Sequence, residues 1–109
     1  MRQTPNKLVR DLIPTIIERS GNKCKTRRLS EAEYIKALRL KLIEESEEVA
    51  EASLDEIVIE IADVYEVIES LIVALDLDIN EIKQQQQLRR QQRGGFSQRI
   101  QLVWTEKQS

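Results

Sequence analysis

The chain predicts a mainly α-helical fold, a bundle of antiparallel helices, and three observations carry that prediction. Glycine and proline are scarce, with three and two residues among 109. Three capping-box patterns, Ser30-x-x-Glu33, Ser53-x-x-Glu56 and Asp78-x-x-Glu81, mark three helix starts. After the first two, apolar residues recur in steps of three and four, the period of a helix face.

Residues 1–10 read as polar and extended, with Leu8-Val9 as a short apolar contact. Asp11 is placed to cap a short helix that tolerates Pro14 in its first turn. Ser20-Gly21-Asn22 ends that helix, and the basic residues 23–29 suit a short strand or an extended linker. The first long helix is predicted over 31–51, with the stripe Ile35, Leu38, Leu42, Glu45, Val49, Ala52. The second is predicted over 54–76, with the stripe Ile57, Ile61, Val64, Ile68, Leu71, Leu75. A tight turn joins them as near-antiparallel neighbours. A third helix over 79–93 is anchored by Ile79 and Ile82 and stopped by Gly94-Gly95. Beyond it, Ile100, Leu102 and Trp104 alternate as in a strand. Short β segments near both termini are therefore part of the expectation, within one domain over 1–109.

Composition narrows the function classes. The net charge is −2 with one third of residues charged, which suits neither a polybasic nucleic-acid binder nor an acidic disordered tail. No histidine is present, so histidine-based nucleophilic systems and histidine-ligated zinc are excluded. The single cysteine, Cys24, permits no intramolecular disulfide. No membrane-length apolar run or signal peptide is visible, so a cytoplasmic location is expected.

Two acidic pairs stand out. Glu45 shares a stripe with Leu38, Leu42 and Val49, and Glu60 lies near the stripe of Ile57, Val64 and Leu71. A bare carboxylate on a core-facing stripe is costly to desolvate. Glu45 with Glu48, and Glu60 with Asp63, are i,i+3 pairs that project to one side of a helix. In an antiparallel hairpin that turns near Ser53, the pairs face each other at similar heights. Four converging carboxylates repel unless a cation sits among them. Oxygen ligands without His or Cys point to Mg²⁺ or Mn²⁺. The plainer reading is a solvated acidic face, which suits Glu44 and Glu47 best. Lys41, one turn before Glu45, could neutralise Glu45 instead.

The order Glu44-Glu45-x-x-Glu48 followed by Glu60-x-x-Asp63 on successive helices resembles the MazG-like all-α nucleoside triphosphate pyrophosphohydrolases. That superfamily also holds phosphoribosyl-ATP pyrophosphohydrolases and dimeric dUTPases. The opening Asn6-Lys7-Leu8-Val9-Arg10-Asp11-Leu12-Ile13-Pro14, the segment Cys24-Lys25-Thr26-Arg27 and the ending Arg93-Gly94-Gly95-Phe96 are similar to a small single-domain branch of it. The resemblance implies Mg²⁺-dependent hydrolysis between the α- and β-phosphates, giving a nucleoside monophosphate and pyrophosphate in a house-cleaning role. Carried over by position, Glu45, Glu48, Glu60 and Asp63 hold the metal, and Glu44 orients or deprotonates the attacking water. No protein nucleophile is required.

A triphosphate needs cations around it, and Lys7, Arg10, Lys83 and Arg93 are the candidates for its phosphates, with Arg90 and Arg99 behind them. Arg10 and Asp11 also offer ties from the N-terminus to the bundle. Tyr34, Tyr65, Phe96 and Trp104 are more readily core or interface residues than base contacts. Apolar residues off the main stripes, such as Ile43, Val58, Ile59 and Ile72, predict a homodimer or homotetramer. The alternatives are phosphoribosyl-ATP hydrolysis with the same acids, and a non-catalytic helical interaction module. Nucleic-acid binding through 83–99 is disfavoured by the low net charge and the glutamines.

Overall fold

The structure, a computed structural model, describes all residues except Met1 and Thr4. Four helices follow one another: α1 Ile13–Arg19, α2 Glu31–Glu51, α3 Ile57–Ala74 and α4 Ile79–Arg93. The chain divides into two units; the first ends at Asp76 and contains α1 to α3, and the second, Leu77–Ser109, contains α4. None of the helices is long and apolar enough to cross a membrane.

The hairpin of α2 and α3 is the body of the first unit. The start of α2 is fixed by the predicted capping box: the Glu33 N–H donates to Ser30 Oγ at 3.2 Å, and the Ser30 N–H donates to Glu33 Oε1 at 3.0 Å. Arg27 adds an ion pair to Glu33 at 3.1 Å. The stripe predicted for α2 is the covered one, with Leu38 buried and Ile35, Leu42, Glu45, Val49 and Ala52 half-buried.

Helix α3 departs from its predicted stripe. Val67 is its buried residue, with Ile57, Val64 and Leu71 half-buried, while Ile61, Ile68 and Leu75 are exposed. The reason is that α3 is apolar around most of its circumference. A three-and-four pattern drawn through Ile57, Ile61, Val64 and Ile68 therefore straddles two faces, one turned to α2 and one turned outward.

Two predicted caps are not used. At α1 the N-cap is Leu12, with no side-chain cap, rather than Asp11. Pro14 sits in the first turn and lacks one of the N–H groups that a capping carboxylate would accept from. At α3 the N-cap is Glu56, again without a side-chain bond. The Ser53 carbonyl instead accepts from the Glu56 N–H at 3.0 Å, so the chain reversal takes up what had been predicted as the first helical turn. Helix α4 follows its predicted limits, with Asp78 accepting from the Asn80 N–H at 2.9 Å and Gly94 at φ +80° closing the end.

No strand forms among the described residues; 23–29 and 100–104 are irregular. Alternating side chains suit a strand, but the ladder also needs a second extended backbone to saturate its N–H and C=O groups.

Candidate metal centre

The connection between α2 and α3 places the acidic residues of both helices near their joined ends. One carboxylate oxygen from each of Glu45, Glu60 and Asp63 lies within 4.8 Å of the other two, and all three side chains are half-buried. Glu45 comes from α2, and Glu60 and Asp63 come from one turn of α3. Glu48, the fourth expected ligand, is exposed and not among the converging oxygens, though near enough for its charge to act on Glu60.

The electrostatics are those of crowded like charges. Partial burial pushes the Glu60 carboxyl above its ordinary value, and the charges of Asp63, Glu48, Glu45 and Glu56 push it further in the same direction. Glu44 moves the opposite way: the hydrogen bond from Lys7 is the main cause of its lowered value, and Lys41 adds to it against the cost of burial. A carboxylate held ionised in this way is better suited to orienting a water than to taking its proton.

Three cations answer the acids. Lys7 Nζ donates to Glu44 Oε1 at 3.2 Å, and Arg10 Nη2 donates to Asp63 Oδ1 at 2.7 Å. Lys41 Nζ lies 3.4 Å from Glu44 and 3.6 Å from Glu45. Lys41 therefore does partly neutralise Glu45. Of the candidates for substrate phosphate, Arg10 is bonded to a member of this group, Asp63, and Lys7 to Glu44, the neighbour of Glu45 in sequence. Lys83 and Arg93, the other two candidates, lie exposed on α4 in the second unit.

The donor set fits a hard divalent ion. It offers oxygen only, from three half-buried carboxylates with a fourth, exposed one near them, and more negative charge than the three neighbouring cations cancel. The Lys41 double contact was legible from i,i+3 and i,i+4 spacing. The pairings made by Lys7 and Arg10 span 37 and 53 positions and leave no periodic signal. Comparison with family models, curated proteins and solved structures returned no match.

Proposed function

We propose that the chain is a Mg²⁺-dependent nucleoside triphosphate pyrophosphohydrolase that releases a monophosphate and pyrophosphate and acts as an assembly of identical copies. The observation that carries the reading is the approach of Glu45, Glu60 and Asp63 oxygens to within 4.8 Å across the hairpin. The resemblance of the two acidic motifs to the MazG-like superfamily supports it. In this reading Glu45, Glu60 and Asp63 hold the ion, with Glu48 completing the set. The bound ion supplies charge neutralisation at the phosphates and a more acidic water.

The chain's own residues then have defined tasks. Glu44, kept ionised by Lys7 and Lys41, accepts a hydrogen bond from the attacking water and fixes its direction. Arg10 and Lys7, already at the acids, turn to the incoming phosphates once the carboxylates are otherwise neutralised. Manganese meets the same oxygen ligands. Phosphoribosyl-ATP is the second substrate to assay, because it would use the same acids.

The test is a panel of ordinary and damaged nucleoside triphosphates, with phosphoribosyl-ATP, incubated with Mg²⁺ or with chelator and resolved by chromatography. Glu45→Gln and Asp63→Asn run alongside. Metal-dependent release of monophosphate and pyrophosphate, lost in both variants, is the expected result. No turnover across the panel, with Glu45→Gln fully tolerated in folding and assembly, would leave an interaction module whose acids are structural charges.

A further inference from the structure

Each of the two units carries an apolar surface of its own. The first is the outward stripe of α3, Val58, Ile61, Tyr65 and Ile68, with Val58 75% and Tyr65 63% exposed. These residues step by three and four over three turns and form one continuous line without a charge. The second lies in residues 96–104, where Phe96 is 97% exposed and Trp104 73%, with Ile100, Leu102 and Val103 also open to solvent. A soluble chain seldom leaves this much contiguous apolar surface bare.

The elements that carry the two surfaces are oppositely charged, although residues 96–104 themselves hold one cation, Arg99. Helix α3 carries four carboxylates, Glu60, Asp63, Glu66 and Glu69, and no lysine or arginine. Residues 83–104 carry five cations, Lys83, Arg89, Arg90, Arg93 and Arg99, and no carboxylate. Glu60 and Asp63 belong to the acidic centre, whereas Glu66 and Glu69 are exposed. Among the described residues neither Glu66, Glu69 nor any of those five cations takes part in an ion pair.

We infer that residues 96–104 of one copy lie along the outward α3 stripe of a second copy, with Arg99 and the basic side chains that precede it meeting the exposed carboxylates Glu66 and Glu69. Each copy carries both surfaces, so a mutual exchange between two copies closes a twofold dimer with two equivalent contacts. Burying five large apolar side chains twice, together with the stripes they cover, removes on the order of the ~1,600 Å² typical of a stable interface. The irregular backbone of 100–104 also gains a neighbour in this arrangement. The opposite charges favour encounter and fix which surface meets which. The inference rests on the reading that copies assemble, and not on hydrolysis.

Trp104 is the single tryptophan, so it reports on this contact directly. Full-length protein is followed by sedimentation and by Trp104 emission and acrylamide quenching over a dilution series in low and moderate salt. The expected result is a dimer whose formation shifts Trp104 emission to the blue and shields it from quencher several-fold, with both effects reversed together on dilution and weakened by salt. Tyr65→Arg should weaken the dimer about tenfold or more and return Trp104 to solvent. Far-UV dichroism monitors its helix content, and Ile100→Ser, on the opposite surface, gives the same expected loss without touching the hairpin. A dimer with a solvated Trp104 overturns the inference and leaves the assembly standing. A monomer with a shielded Trp104 assigns the segment to its own chain and also overturns it. A chain that stays monomeric at all concentrations overturns both the inference and the assembly. None of these results depends on turnover.

Discussion

Arg10 Nη2 donates to Asp63 Oδ1 at 2.7 Å, joining the N-terminal segment to the middle of α3 across 53 positions of the chain. The distance is that of a charge-assisted hydrogen bond. The Arg10 side chain is more than half exposed, so the pair contributes only about 0.2–1 kcal/mol to the fold. Its larger effect is on the acids, because Arg10 occupies a carboxylate that the proposed cation also needs.

That competition sets the behaviour of Arg10→Ala. In chelator the variant should melt slightly earlier than the parent chain, by no more than about 1 kcal/mol in stability. In Mg²⁺ it should gain more from the ion than the parent does, since Asp63 is released. Thermal melts with chelator and across a Mg²⁺ titration measure both effects. A weaker Mg²⁺ response in the variant would contradict the competition.

Glu60 makes a prediction about pH. Its carboxyl is raised from 4.5 in the folded chain, first by partial burial and then by the neighbouring acids. The folded state therefore binds a proton more readily than the unfolded state does. This group favours folding at low pH and opposes it once pH rises through the raised value. Glu60→Gln should stabilise the metal-free protein at neutral pH and have little effect near pH 4. Urea unfolding at the two pH values in chelator checks the sign. Equal effects at both would remove the charge crowding as the cause.

The capping box of α2 behaves oppositely. Glu33 is lowered to about 2 by the Arg27 hydrogen bond first and by the Ser30 backbone and side chain next. Its contribution is complete above the unfolded value of 4.5 and is lost as pH falls through about 2. Glu33→Gln should thus lose stability at neutral pH and converge with the parent in strong acid. Ser30→Ala should cost about 1 kcal/mol. Helix dichroism during acid and urea titrations measures both.

Leu38 and Val67 are the two buried apolar residues among those described. Leu38→Ala should cost about 2–3 kcal/mol, the lower part of the usual range, because half-buried neighbours can close around the gap. Exposed Leu54→Ala should change almost nothing. Parallel urea curves for the two variants give the comparison.

Much of this architecture was readable from the chain, for local reasons. The limits of α2 follow from Ser30, Glu33 and an unbroken stripe, and the convergence of Glu45 with Glu60 and Asp63 follows from hairpin arithmetic. The covered face of α3 was not readable. With valine and isoleucine at 57, 58, 59, 61 and 64, several helical stripes fit equally well, and only α2 decides among them. The unused caps at Asp11 and Ser53 show that a capping pattern states an opportunity, while Pro14 and the chain reversal decide its use. Lys7 and Arg10 were expected as cations for a substrate's phosphates, and Arg10 also as a tie from the N-terminus, which its bond to Asp63 makes. Their acidic partners were not, because pairings across dozens of positions are set by the fold.

The near absence of a sealed interior has a thermodynamic consequence. An isolated chain whose side chains are mostly open to solvent exposes little new apolar surface when it unfolds. The heat-capacity increment and the denaturant slope both scale with that newly wetted area. A single chain should therefore melt over a wide temperature interval with shallow curvature in its free energy. Any surface that covers the α3 stripe sharpens the transition as well as raising its midpoint, so the width of the melt reports how far the protein is from standing alone.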